Sequence, residues 1–347
     1  MFRRACLIGT LAVLVIAPAL WAQNDDKDKP KQDKPGTPAE EFSALVKEYQ
    51  TAQQEFNKAR VAAKTAEERQ ELAKLAPKAA EFAGKFLDIA EKNPKDPVAV
   101  DALIWVLNTG ATTPQGRKAA KKLVEDHPAS EKIGQAVMQL AQQPDAEKSL
   151  RTILEKNQNR QVRAIASYGL GRSLIVKSLN AEEGKDEEAR KLAEEARPLF
   201  QEILDKYLDV QGPGGNMFDM TLQLLPYVPG AADLVRDLLK KDLAHDVKGK
   251  ATFGLAQVLK GESEKAGTVA ASKEAESVLQ EVIDNFADVR GARGTLADAA
   301  KPVLVEIQKR GVGKTAPDIE AEDVGGETFK LSDYRGKVVF LDFWGHW

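Results

Sequence analysis

AIASYGLGRSL (164–174) and GKATFGLAQVL (249–259) decide the fold of this chain. Superimposed, they place alanine on alanine (Ala166, Ala251), a ring two places on (Tyr168, Phe253) and a leucine after two more (Leu170, Leu255). The same register recurs upstream as Ala102, Ile104 and Val106, and as Ala136, Met138 and Leu140. Thirteen residues before each alanine stands an apolar pair: Ile89-Ala90, Leu123-Val124, Ile153-Leu154 and Leu238-Leu239. Each pair reads as the close of one helix, and each alanine as the small residue that lets the next helix approach its neighbours. Such a unit cannot bury its apolar face alone, so copies must stack.

Working outward, apolar residues recur three and four apart, as in Phe82, Phe86 and Ile89, then Val98, Ala102, Trp105 and Val106. Asn93-Pro94 and His127-Pro128 punctuate the joins. The chain is 43% apolar but only 6% aromatic, a composition that favours helices over sheets. The first two anchors lie 34 residues apart, and with their proline turns they resemble tetratricopeptide repeats. Later copies are unevenly spaced, and the candidates at Ile203 and Val282 lack the alanine. The expected fold class is therefore mainly α, a TPR-like helical-repeat domain over 39–310 followed by an incomplete α/β segment. Within it, 180–197 reads as a charged insertion between copies, a solvated helix face or else an interaction surface, and 211–216 (QGPGGN) as a loop.

The N-terminus has Arg3 and Arg4, an apolar run from Leu7 to Ala17, then small residues at Ala19 and Ala22. That order predicts a secretory signal peptide over 1–23 and an exported, periplasmic or cell-envelope protein, touching membrane only if the segment stays uncleaved. Residues 24–38, charged and proline-rich, read as a disordered tether. Cys6, the only cysteine, lies inside the signal segment, so the mature chain has no thiol for a disulfide or a thiolate metal site. A formal charge of −3 gives no basic excess for nucleic acid. GVGKT (311–315) lacks the glycine a phosphate loop needs, since Gln308 stands there. His127 and His245 read as ordinary polar positions, and neither a metal set, a cofactor site nor a nucleophile–base pair is recognisable.

The last stretch is different: APDIEAEDVGGETFKLSDYRGKVVFLDFWGHW (316–347). Residues 328–331 are expected to pair back on 319–324 across Gly325-Gly326. Ser332 is expected to cap a short turn through Tyr334, and 337–344 to form a buried strand. Ala316-Pro317-Asp318, Gly326, the run Leu331 to Lys337 and then Val338 to Trp344 resemble the opening of redoxin domains, the AhpC/TSA-type and TlpA-type thioredoxin-like proteins.

That resemblance implies thiol–disulfide exchange or peroxide reduction, with a thioredoxin-like reductant and protein thiols as partners. It makes Trp344, Gly345, His346 and Trp347 the flank of an active site whose two cysteines, spaced CxxC, stand next at the head of a helix. There free N–H groups and the helix dipole stabilise a thiolate. None of those catalytic residues is among the 347. A fragment of a longer frame, a decayed gene, and a UGA codon read as selenocysteine are the three origins weighed. The tail is expected either to pack on the helices or to stay disordered. The alternative function is a non-catalytic exported scaffold whose repeats bind a protein or peptide.

Overall fold

The computed structural model describes residues 36–74, 76–182, 184–310, 314–315, 318–323 and 325–340. The expected signal peptide and all but the last three residues of the expected tether lie outside them. Fourteen α-helices are described: α1 Pro38–Ala62, α2 Ala66–Lys74, α3 Ala79–Lys92, α4 Pro97–Gly110, α5 Pro114–Asp126, α6 Val137–Leu140, α7 Ala146–Lys156, α8 Arg160–Leu179, α9 Asp186–Lys206, α10 Met217–Leu222, α11 Ala231–Leu239, α12 His245–Ala266, α13 Val269–Asn285 and α14 Leu296–Arg310. Two small antiparallel hairpins complete them, β1 Gln211–Gly212 with β2 Gly215–Asn216, and β3 Glu320–Glu322 with β4 Thr328–Lys330. Among the described residues no helix is long and apolar enough to cross a membrane.

Helices pack chiefly on their sequence neighbours: α3 on α4, α4 on α5, α7 on α8, α8 on α9, α12 on α13 and α13 on α14. One continuous core runs through them from Leu45 to Ile307. The alanines that set the register, Ala102, Ala136, Ala166 and Ala251, are all fully buried. So are the anchors Ile89, Leu123 and Ile153, with Leu238 nearly so. At the N-terminal end the Phe86 ring stacks on Trp105 at 4.0 Å and meets Phe42 of α1 edge-on at 5.4 Å. Burying one such side chain is worth about 1.5–3 kcal/mol.

The helix ends share a local geometry. The N–H four residues beyond the anchor donates to the anchor's carbonyl: Asn93 to Ile89 (3.1 Å), His127 to Leu123 (3.1 Å), Tyr207 to Ile203 (2.9 Å) and Phe286 to Val282 (3.0 Å). These four cap residues have φ of −130°, −132°, −129° and −133°. Three residues later the next N–H returns to the cap carbonyl, as from Asp96 to Asn93 (3.0 Å), Ser130 to His127 (3.0 Å), Val210 to Tyr207 (3.1 Å) and Val289 to Phe286 (3.2 Å). Ile203 and Val282 therefore end their helices as the regular copies do. Ile153 and Leu238 differ: the Asn157 N–H bonds the Ile153 carbonyl (2.8 Å) but with φ of −96°, and the Lys241 N–H bonds the Leu238 carbonyl in a shorter turn.

Why those two copies lack the alanine is now plain. After Asn93 and His127 the chain enters a helix at once, with Asp96 accepting the Val98 N–H (2.9 Å) in the first case. After Tyr207 and Phe286 it first makes a tight hairpin, so the second helix starts later. The small buried residue moves with it, to Thr221 and Ala300, both fully buried.

Two expectations are corrected. Residues 211–216 form the hairpin β1–β2, with Gln211 paired to Asn216 and Gly212 to Gly215, rather than an open loop. Residues 186–197 are the first half of α9, whose Ala193 and Ala196 are buried against the core, rather than an insertion between copies. Dense charge hid that face because its buried side chains are alanines, which give little periodic signal.

Candidate functional site

The C-terminal segment is built around one hairpin. Glu320 pairs with Lys330, Ala321 with Phe329 and Glu322 with Thr328, and the Leu331 N–H extends the ladder to the Ile319 carbonyl (2.8 Å). The turn needs Gly326, whose φ is +83°. Asp323 fixes it from inside, its carboxylate accepting the N–H groups of Gly325 (2.7 Å) and Glu327 (3.0 Å). Pairing of 328–331 with 319–324 is as expected.

The turn after β4 is held differently from the expectation. Ser332 is not the cap. Asp318 accepts both its N–H (2.8 Å) and its hydroxyl (2.8 Å), tying the approach to β3 onto the 3₁₀ turn Leu331–Tyr334. Those two bonds, backbone first, hold the Asp318 carboxyl below the usual aspartate range. The capping place belongs to Lys330, whose N–H donates to the Asp333 carboxylate (2.9 Å). Sequence offered one cue to the Asp318 clamp, two polar groups at opposite ends of a hairpin, but such a pair is common.

The expected buried strand over 337–344 is not formed across its described part. Residues 338–340 carry no strand pairing, with Val338 fully exposed and Phe340 90% exposed. A strand buried on both faces needs paired neighbours and a covering layer. The hairpin β3–β4 is the only sheet described in this segment and does not extend to it. The remainder, with Trp344, Gly345, His346 and Trp347, lies outside the described residues. The tail is joined to the helical part by the Lys314–Glu276 ion pair (3.2 Å), while the hydrophobic core ends at Ile307. Its described residues are thus locally folded, without being part of that core.

Elsewhere, Glu202 on α9 is a half-buried charge held by several donors. Arg163 donates to it (3.2 Å), as do the hydroxyls of Tyr207 (3.2 Å) and Ser167 (3.2 Å). Burial pushes its pKa up, but these donors, Arg163 above all, outweigh it and leave the group below the usual glutamate range. Arg163 also donates to the Leu154 and Asn157 carbonyls. The cluster is a fastener between the α7–α8 turn and α9, since both carboxylate oxygens are already engaged. Among the described residues no group of three or more His, Cys, Asp or Glu is placed to hold a metal. His127 ends α5, and His245 opens α12 with its Nε2 3.4 Å from Asp288.

Comparison with known proteins gives the C-terminal segment its context. A family model for the AhpC/TSA family matches residues 312–347. The thiol-disulfide oxidoreductase ResA of Geobacillus kaustophilus is 61% identical over 36 residues, 10% of this chain and 21% of the relative. That of Geobacillus thermodenitrificans is 58% identical over 36 residues, with the same coverage. The Bacillus subtilis protein of the same name is 51% identical over 35 residues, 20% of its length. The chain thus spans about a fifth of the length of the curated relatives it matches. No solved structure matches it significantly. Residues 312–347 are accordingly similar to AhpC/TSA-family sequence, and follow a helical part whose last described helix ends at Arg310.

Proposed function

We propose that the protein carrying this chain is an extracytoplasmic thiol-disulfide oxidoreductase in which α1–α14 form a separate protein- or peptide-binding part. The observation that carries the reading is the match of 312–347, at 51–61% identity, to relatives named for that activity. Export is supported by the charged, apolar and small-residue order of 1–22. Peroxide reduction is the neighbouring chemistry of the same family and is separated from disulfide exchange by assay. The reaction needs a thiolate or selenolate, and 24–347 contains no cysteine to supply one.

The test is to sequence the gene for about 120 codons past Trp347, an ordinary domain's reach. The encoded protein is then expressed, and its reduction of a protein disulfide is measured alongside its consumption of hydrogen peroxide. A cysteine codon next, followed by a second cysteine three places on and disulfide reductase activity, supports the proposal. An in-frame UGA with that second cysteine makes the nucleophile selenium. Unrelated sequence, or an intact domain without either activity, defeats it. A reporter enzyme active only outside the cytoplasm, fused after Pro38, tests export independently.

A further inference from the structure

The helices α7–α10 and α11–α14 are two copies of one unit. AEKSLRTILEKNQNRQVRAIASYGLGRSLIVKS (146–178) aligns without gaps on AADLVRDLLKKDLAHDVKGKATFGLAQVLKGES (231–263). After links of unequal length, QEILDKYLDVQGPGGNMFD (201–219) aligns on QEVIDNFADVRGARGTLAD (280–298). The fold repeats with the sequence. The Met217 N–H closes on the Val210 carbonyl at 2.9 Å, and the Leu296 N–H on the Val289 carbonyl at 2.8 Å. Gln201 donates to Asp205 (3.0 Å) as Gln280 does to Asp284 (2.8 Å). Arg160 and His245 open α8 and α12 at the same place, facing Asp209 and Asp288.

Between the copies one set of ion pairs is kept and another is exchanged. Arg151 of α7 donates to Glu195 of α9 and to Glu147 (3.2 Å). Arg236 of α11, in the same place, donates to Glu274 of α13 (2.8 Å) and to Asp233 (3.0 Å). In the first unit Lys177 of α8 adds a second cation, donating to Glu147 (3.1 Å). The residue of α12 that corresponds to Lys177 is Glu262, and the one that corresponds to Glu147 is the buried Ala232. Two cations thus meet two carboxylates in the first unit, whereas in the second Arg236 stands among Asp233, Glu262 and Glu274. Arg236 is taken by the other two, and among the described residues Glu262 accepts no hydrogen bond.

Glu262 is half-buried. Burial foremost, with Asp233 and Glu274 beside it, holds its carboxyl above the usual glutamate range against the pull of Arg236 and Lys265. Those four are the charged neighbours from α11, α13 and its own helix. On other turns of α12, Lys260 pairs with Glu264 and with Glu306 of α14, and Lys250 with Asp219 of α10. The 3₁₀ turn 225–227 brings the Tyr227 ring, 5.8 Å from the Lys265 ammonium.

We propose that Glu262 makes the junction of α11, α12 and α13 an acid-tightened joint, a device absent from the first unit because Lys177 stands in that place. A carboxylate that loses water without gaining a partner opposes closure of the joint, and its protonated form does not. Its folded pKa is raised, so the stabilisation is fully present below the unfolded value and is lost as pH rises through the folded one. Glu147 runs the other way. Lys177 holds it below the usual range, so that pair's contribution fades on acidification.

Val235 of α11 and Leu150 of α7, both buried, occupy equivalent places and report the opening of each unit. Hydrogen exchange gives the protection factors of both amides in the whole chain, wild type and Glu262→Gln, from pH 7 to 4. The ratio of variant to wild type is taken at each pH, so that titrations common to the two proteins cancel. At Val235 this ratio is expected to be about two- to fivefold at pH 7, the order of one partly screened charge, and to approach one as pH falls through the carboxylate range. At Leu150 it is expected to stay at one throughout, which also shows that the fold is intact. A Val235 ratio at or below one at pH 7, or one that does not fall with pH, overturns the proposal. An equal change at Leu150 overturns it as well, because the effect is then not one of this joint.

Discussion

Asn157 shows how much one side chain can settle in an array of helices. It is fully buried, donates to the carbonyls of Pro128 and Ser130 (2.9 Å each), and accepts the Asn159 N–H (2.9 Å). It thereby latches the α7–α8 turn to the turn that follows α5. Asn157→Ala leaves those backbone groups without their partner and is expected to cost about 1–3 kcal/mol, read as a lower urea midpoint at unchanged slope. Glu202 makes a second prediction. Its folded pKa is depressed, so its stabilisation is present above the unfolded value and is lost as pH falls through the folded one. Glu202→Gln should therefore be less stable than wild type near neutrality and lose less on acidification below the usual glutamate range. Thermal melts across that range check the sign. Neither residue was legible beforehand, because an asparagine or glutamate on a charged helix reads as surface until its neighbours are known.

At the scale of elements, the register of helix ends was readable and its interruptions were not. A fixed offset from Ile89 to Ala102 works while the second helix starts straight after the turn. Inserting β1–β2 after Tyr207 shifts the start and hides Thr221 from the same count. The β3–β4 hairpin was legible because Gly325-Gly326 mark the reversal. The exposed run at 338–340 was misread because composition reports a strand's preference and says nothing about whether partners exist. Close packing of α8 on α9 is tested by glycine substitution. Helix propensity favours alanine by about 1 kcal/mol. At Gly171 the new Cβ would stand 2.7 Å from the Phe200 ring, a conflict worth about 1–3 kcal/mol, so Gly171→Ala should destabilise. At Gly84 it would meet nothing within 4 Å, so Gly84→Ala should stabilise. In the C-terminal hairpin, acidification below the usual aspartate range should lower the protection of the Ser332 amide relative to its intrinsic exchange rate as Asp318 protonates, and Asp318→Asn should remove that protection at neutral pH.

For the whole molecule, the decisive fact is that among the described residues the hydrophobic core runs no further than Ile307, while the stretch similar to AhpC/TSA-family proteins begins at 312. A chain ended after Arg310 should unfold within about 1 kcal/mol of the full one, since an exposed link such as Lys314–Glu276 contributes little. A clear loss of stability in that shortened chain would mean the tail belongs to the helical core. The change of character beyond Arg310, from helical periodicity to a stretch similar to AhpC/TSA-family proteins, was legible from its residues. What was not legible is that the repeat part is itself partly a doubled unit, because its two halves differ in the length of the α8–α9 and α12–α13 links. That doubling bears on how the gene can change. Arg160 and His245 occupy the same place in consecutive units, so unequal recombination between them would remove or add one whole unit while keeping helix phase at the seam. The lineage can therefore lengthen or shorten its helical part in steps of 85 codons without rebuilding an interface, and near relatives should differ by whole steps of that size.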